Sequence, residues 1–411
     1  MIFYLLFLLY LLYIMQLNDK QIDALELVKD GKNIFITGSA GTGKSFLLQY
    51  ITNYLSLNSK KYSLTSTTGS SAVLINGQTI HSYLYLGLNI DSADKIFLKY
   101  KSSLNKISLL DVLIIDEISM MNDLLLEKIN QLLCLIKKSI LPFGGIQIIF
   151  LGDFCQLPPV SGNYCFLSKI WNDLNLNIVI LNELMRQKDD LLFQTILEEI
   201  RTGSCSKETY KILKNLKYTT FDYNIKPTKL FPTNLNVDLI NNYEFKKLCI
   251  RNNNVISIYN AKSSHKTIDI SSYNITLTLN TQIIITRNIS FEDKLINGTR
   301  GIVLQLNPDN VLIKDVNNNI HKIEYYTDKN DEKKQWVSFL PIKLAYALSI
   351  HKSQGCTIDA LEIDLGNDIF ENGQLYTALS RAKSLKSIKI INISKKSFMI
   401  HPEVKKFYNF T

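Results

Sequence analysis

Eight residues constrain this chain more than any other stretch: GSAGTGKS, Gly38 to Ser45. They fit the pattern G-x-x-x-x-G-K-S, and they stand where that pattern has meaning, between a strand and a helix. Asn33 to Thr37 is a short β-branched and aromatic run, and Gly38 to Gly43 breaks it. From Ser45 onward, Leu47, Leu48, Ile51 and Leu55 recur at helical spacing. Glycines permit a loop whose backbone amides all turn inward on a phosphate. Gly38, Ser39, Ala40, Gly41, Thr42 and Gly43 supply that cradle, Lys44 reaches the β and γ phosphates, Ser45 holds magnesium, and the following helix offers its positive end.

Such a loop needs a second magnesium ligand, and LLDVLIIDEISMM supplies one. The hydrophobic run Leu109 to Ile115 reads as a buried strand that delivers Asp116 to the carboxyl edge of a sheet, where metal and nucleotide meet. Glu117 follows directly. A carboxylate one residue past the metal ligand is placed to polarise an attacking water, so Glu117 is the expected general base. The cofactors implied are ATP and Mg2+.

The surrounding pattern is strand and helix in alternation, which implies a parallel sheet with crossovers. KYSLTSTTG opens as a strand and runs into a short helix, apolar residues from about Asn122 to Ile136 mark another helix, and GGIQIIFLGD gives a further buried strand. The first domain is expected at 16–200 and a second α/β domain at 201–411. TKLFPTN, NTQIIITRNI and LPIKLAYALSIHKSQG read as strands and helices of that second domain. Between them, NGTRGIVLQLNPDNVLIKDVNNNIHKIEYY carries short alternating strands split by Gly and Asn runs, the pattern of a small β-barrel insertion at about 295–340.

Composition sets the class of partner. The 411 residues carry 46 Lys and Arg against 37 Asp and Glu, a formal charge of +9, which favours nucleic acid or an anionic surface. Six scattered cysteines form no C-x-x-C pair and indicate reduced thiols in an intracellular protein rather than a zinc site or a disulfide framework. The opening MIFYLLFLLYLLYIM is shorter than the ~20 apolar residues of a bilayer span and has neither the basic start nor the cleavage site of a signal peptide. The stretch 1–15 is therefore expected to be a hydrophobic leader, with residues 1–14 outside the native protein and Met15 as the true initiator. A short anchor is the alternative.

LPFGGIQIIFLGDFCQLPPV, Leu141 to Val160, resembles the signature and third motif of the PIF-one (petite integration frequency) DNA helicases, a RecD-like branch of superfamily 1B. Further segments resemble the same family: LNDKQ (Leu17 to Gln21) its adenine-reading Q-motif, TSTTGSSAVLINGQTIHS motif Ia, LNELMRQKDDLLFQTILEEIRTG motif IV, LSIHKSQGCTIDALEIDLG motif V and GQLYTALSRAKS motif VI. The resemblance runs from about Leu17 to Asn392. It implies two RecA-like domains with parallel sheets facing each other across the nucleotide, a small SH3-like barrel inserted in the second, and a wedge for parting duplex within Asn89 to Lys106.

The resemblance also implies roles. Arg381 in ALSRA is the expected arginine finger and Arg186 in LMRQ a second; Gln156 is the γ-phosphate sensor; Gln21 reads the base; Gln354 and Gly355 link nucleotide to DNA. Thr65, Ser66, Thr67, Thr68 and His81, with His351, Lys352 and Ser353, would hold the phosphates of a single strand. The activity implied is ATP-driven 5′ to 3′ translocation and unwinding in replication, recombination or repair, by a monomer acting on single-stranded and tailed or forked duplex DNA without stable membrane association. A RecD-like subunit of a recombination complex, a nucleotide-switched DNA-binding ATPase and a membrane-linked NTPase are the alternatives. Three departures stand out: GSSAV in motif Ia where the family usually has Gly-x-Ala-Ala, Tyr346 before motif V where tryptophan is common, and NTQIIITRN in place of a Gly-Ala-Gln-Val-Met-Leu run. They touch DNA contacts rather than hydrolysis.

Overall fold

A computed structural model describes residues 17–86, 92–221, 225–265, 269–290, 293, 295–330, 335–365 and 371–410. The expected leader at 1–15 lies outside the described residues, as do residues 89–91 of the expected wedge. Within the rest of that wedge segment, Ser92 caps a helix, Ala93–Leu104. Among the described residues no helix is long and apolar enough to cross a membrane.

Two compact units emerge. The first holds residues up to Ser204 together with Glu371–Tyr376 and Met399–Thr411; the second holds Cys205–Phe370 and Thr377–Phe398. Two short segments near the C terminus, which the sequence reading gives to the second domain, thus belong to the first. Aromatic packing is the physical reason for the last of them: Phe407 places its ring 5.2 Å from Phe154 and 4.6 Å from Phe166.

The first unit is a six-stranded parallel sheet. Its strands are β1 (Ile34–Gly38), β2 (Tyr62–Ser66), β3 (Gln78–Thr79), β4 (Val112–Asp116), β5 (Gln147–Gly152) and β6 (Asn177–Leu181), ordered β3-β2-β4-β5-β1-β6. β1 is buried along its whole length, as a central parallel strand covered on both faces must be. Helices α1 (Asp19–Lys29) and α2 (Lys44–Leu57) cover one face: Ala24, Leu25, Val28, Leu47, Leu48, Ile51 and Leu55 pack with Ile34, Ile36, Ile114, Ile149 and Leu151. The expected helix near Asn122 to Ile136 is α3 (Asp123–Lys137), whose first turn is capped by the Asn122 side chain accepting from the Leu125 N–H. The strand expected from Leu109 begins only at Val112, because Asn105–Leu109 winds into a 3-10 turn that leaves Leu109 exposed.

The second unit has its own four-stranded parallel sheet: β7 (Thr228–Phe231), β8 (Ala347–Ser349), β9 (Leu361–Leu365) and β10 (Ile388–Ile393), ordered β8-β7-β9-β10. Here the sequence expectation is corrected in part. Gln282–Ile285, read as an element of the α/β sheet, pairs antiparallel with Arg300–Leu306 and with Ile342–Leu344. No α-helix forms in the LPIKLAYALSIHKSQG segment, which holds two short strands and the 3-10 turn His351–Ser353. Asn310–Asp315 and Ile320–Glu324 complete that five-stranded antiparallel sheet around Val303, Val311, Ile313 and Ile323. Tyr326–Asn330, Gln335–Phe339 and Lys262–Ser263 form a separate three-stranded sheet.

Candidate nucleotide site and nucleic-acid contacts

In a parallel sheet all carboxyl ends lie on one edge, so β1, β5 and β4, adjacent in that order, deliver their following loops side by side. The loop after β1 is the phosphate-binding sequence. Gly38 leaves the strand at φ +147°, and a Cβ there would lie 2.3 Å from the Leu181 carbonyl oxygen on neighbouring β6, so only glycine fits. Gly43 adopts the left-handed conformation and Lys44 begins α2. Lys44 Nζ donates to the carbonyls of Gly38 at 2.7 Å and Ser39 at 3.0 Å. Burial pulls its pKa down, opposed by Asp153, Glu117 and Asp116. Ser45 stays exposed at the mouth of the helix.

After β4, Asp116 accepts the N–H of Glu117 at 2.9 Å, and Glu117 itself sits at φ +53°. Burial first and the Glu117 carboxylate second push the Asp116 carboxyl up to about 7, while Lys44 acts in the other direction. The Asp116 carboxylate beside Glu117, with the Ser45 hydroxyl, is an oxygen donor set that suits a hard divalent ion.

After β5 comes Asp153, a residue to which sequence reasoning assigned no role. Arg201 grips it with two bonds, Nε to Oδ2 at 3.1 Å and Nη2 to Oδ1 at 3.2 Å. Tyr376 Oη donates to Oδ2 at 3.2 Å and the Cys155 N–H to Oδ1 at 3.2 Å. Burial alone would raise Asp153; Arg201 and then Lys44 outweigh it and hold the carboxyl below the usual range. A carboxylate so fully engaged cannot serve as a base. Gln156, three residues on, is buried, and its Oε1 has no hydrogen-bond partner among the described residues.

Gln21 is fully buried in the first turn of α1. Its Oε1 accepts the Asn18 N–H, closing a capping box, and its Nε2 has no hydrogen-bond partner among the described residues. That amide nitrogen lies against Gly43, 2.8 Å from where a Cβ would stand. Arg186 also borders the loop: its N–H and that of Met185 donate to the Gly41 carbonyl at 3.3 and 2.8 Å, and a Cβ on Gly41 would meet the Arg186 Cβ at 2.8 Å.

The expected strand-binding hydroxyls divide. Thr65 and Ser66 are buried, donating to the Ile114 and Asp116 carbonyls of β4, and Ser353 is buried with its hydroxyl on the Ile350 carbonyl. These three do not face an external strand, because the sheet and the turn that carry them consume their hydroxyls. Thr67 donates to the Glu117 carbonyl, and Thr68 caps the helix Gly69–Leu74; both are half-buried. Burial, with Lys128 as a second cause, lowers the His81 pKa, and burial lowers that of His351, so both imidazoles are neutral at pH 7 and would offer a hydrogen bond rather than a charge. Lys352 and Gly355 are exposed, and Gln354 is buried with neither amide atom hydrogen-bonded among the described residues.

Arg381, in the second unit, follows the helix Gln374–Leu379 and is 2% exposed. Its Nε donates to the Thr377 carbonyl at 2.9 Å and its Nη2 to Ser380 Oγ at 2.8 Å.

Residues missed by sequence reasoning, Asp153, Arg201 and Tyr376, lie inside motifs already quoted. An aspartate ending an apolar strand signals a cation partner, but nothing in the sequence says that Arg201 is that partner.

Residues 16–211 match the family described as PIF1-like helicase. The chain is 33% identical over 96% of its length to the ATP-dependent DNA helicase PIF1 of Danio rerio, covering 64% of that protein. It is 32% identical over 96% of its length to the ATP-dependent DNA helicase Pif1 of Bdellovibrio bacteriovorus, covering 92% of it. Among solved structures, the Bacteroides Pif1 helicase in complex with ADP-AlF3 and ssDNA matches with a TM-score of 0.68 and 26% identity, over 96% of each chain.

Proposed function

Because this chain belongs to the PIF1-like helicase family, we propose that it is an ATP-dependent DNA helicase that moves 5′ to 3′ along single-stranded DNA and unwinds tailed or forked duplex, within replication, recombination or repair. The observation that carries this reading is the meeting of Lys44, Asp116 with Glu117, and Gln156 on the loops of three adjacent parallel strands.

In the proposed mechanism the amides of Gly38 to Gly43 hold the phosphates, and Lys44 exchanges its two carbonyl partners for phosphate oxygens. The Gln21 Nε2 donates to a ring nitrogen of adenine, a role that fits its unpartnered state. Ser45 and Asp116 would hold Mg2+, which neutralises charge developing on the phosphates. Glu117 orients and deprotonates the attacking water. Gln156 senses the γ phosphate, and Arg186 and Arg381 offset charge building on it. The family resemblance supports Arg381 as the finger supplied by the second RecA-like domain, a contribution worth about 10³ to 10⁵ in rate where such fingers act.

On the DNA side, Thr67, Thr68, His81, His351 and Lys352 are the proposed phosphate contacts, with Gln354 and Gly355 relaying between nucleotide and strand. The complex of the Bacteroides relative with ssDNA supports a single strand as ligand. Also proposed are a division into RecA-like domains near residue 200, a wedge from the segment about 89–106, an SH3-like barrel built from strands within about 295–340, action as a monomer, and a place inside the cell where DNA is found.

The test is unwinding of 5′-tailed against 3′-tailed duplexes with ATP. The 5′-tailed substrate is expected to open and the 3′-tailed one to stay closed; the opposite preference would overturn the polarity, and no ATP-dependent opening of either would overturn the helicase reading.

A further inference from the structure

Under the phosphate loop lies a buried polar chain that the proposed chemistry does not use. Tyr376 Oη accepts the Ala40 N–H at 2.8 Å and donates its own proton to Asp153 Oδ2 at 3.2 Å. Asp153 is in turn clamped by Arg201. The polarity of this chain is fixed, since a carboxylate only accepts, an amide only donates, and the phenol between them does one of each. Burial, reinforced by Asp153, keeps the phenol protonated throughout the physiological range.

We propose that Tyr376 is a positioning residue of the phosphate loop. Its hydroxyl holds Ala40, and with it the first turn of the loop, at a height set by the Asp153–Arg201 anchor. Two observations carry this. Gly38 and Gly41 flank Ala40 at φ +147° and +91°, so the loop's own backbone selects no single shape there, and an external hydrogen bond supplies the order that glycine lacks. Ala40 is itself buried, so its amide has no ready water to turn to if the phenol is removed. Tyr408 supplies the contrast. Its hydroxyl is shared with Thr37 Oγ1 at 2.7 Å and accepts the Phe154 N–H at 3.2 Å, touching the strand before the loop and the loop after β5, but not the phosphate loop.

This inference rests on the ATP-site reading and is tested on the full chain with Tyr376→Phe, which keeps the ring, and Tyr408→Phe, which removes a hydroxyl bonded to Thr37 and Phe154. ADP serves as the probe in calorimetry, because the loop grips phosphates that ADP and ATP share. The expected result is about a tenfold loss of ADP affinity for Tyr376→Phe, the worth of one hydrogen bond, with the ATP KM raised by a similar factor and kcat within about threefold. Tyr408→Phe is expected to stay within about twofold. Unchanged ADP affinity in Tyr376→Phe, or equal losses in both variants, would overturn the proposal.

Hydrogen exchange separates failure of this inference from failure of the ATP reading. The Ala40 amide of the unaltered protein should exchange slowly, and at least about tenfold faster in Tyr376→Phe; fast exchange in the unaltered protein would sink the inference even where ADP binds, and would decide alone if the variant did not fold. An unaltered protein with a protected Ala40 amide and no ADP binding would sink the ATP reading instead.

Discussion

Arg201 and Asp153 form a pair buried almost completely, and removing one partner of such a pair costs far more than the pair's net worth. Arg201→Met should therefore destabilise the first unit by about 3–5 kcal/mol in thermal or denaturant unfolding. The pH dependence follows from the sign of the shift. Asp153 is held below its unfolded value, so its contribution is complete above the ordinary carboxylate range and fades as pH falls through the depressed folded value. In Arg201→Met, burial dominates and raises the carboxyl, so stability should instead improve as pH is lowered from 8 toward 5; a melting profile that stays flat over that range would contradict this account. At the same scale, Lys44→Ala removes the ammonium that faces the phosphates. It should lose ATP turnover by about a hundredfold or more while single-stranded DNA binding stays within about threefold, as read by steady-state hydrolysis and fluorescence anisotropy.

Among the elements, the short helix Pro402–Tyr408 holds most of its weight in rings. Phe407 lies within 6.1 Å of Phe35 and Trp171 and closer still to Phe154 and Phe166, in tilted and edge-on arrangements. Phe407→Ala should cost about 2–4 kcal/mol, less than a fully enclosed phenylalanine because the side chain is half-buried. Denaturant unfolding would check it, with a cost under about 1 kcal/mol showing that the helix is dispensable. The phosphate loop, its helix and α3 were legible in the sequence because each rests on local rules: glycine spacing, apolar period and a side-chain cap. Gln282–Ile285 was not legible in the same way. Its three isoleucines fit a parallel or an antiparallel strand equally, and only the partner, Arg300–Leu306, decides.

For the whole molecule, a formal charge of +9 together with a strand-binding role implies that DNA affinity is salt-dependent. If about three to five phosphates are neutralised, affinity for single-stranded DNA should fall roughly 20- to 100-fold between 50 and 200 mM salt; an affinity insensitive to salt would rule out the phosphate contacts proposed. Arg381→Ala should bind DNA as the parent does and lose turnover, measured by DNA-stimulated hydrolysis. The sequence by itself determined the positions proposed for nucleotide chemistry, Lys44, Asp116 and Glu117, because a G-x-x-x-x-G-K-S loop and a strand-end acid pair are written within a few consecutive residues. Tertiary structure alone decided what surrounds them: that Thr65, Ser66 and Ser353 spend their hydroxyls inside the protein, and that Asp153 meets Arg201, 48 positions later, and Tyr376, 223 later. Local patterns record what a backbone will do with its neighbours. A contact across 223 positions is set by the packing of the intervening chain, and no local pattern encodes it.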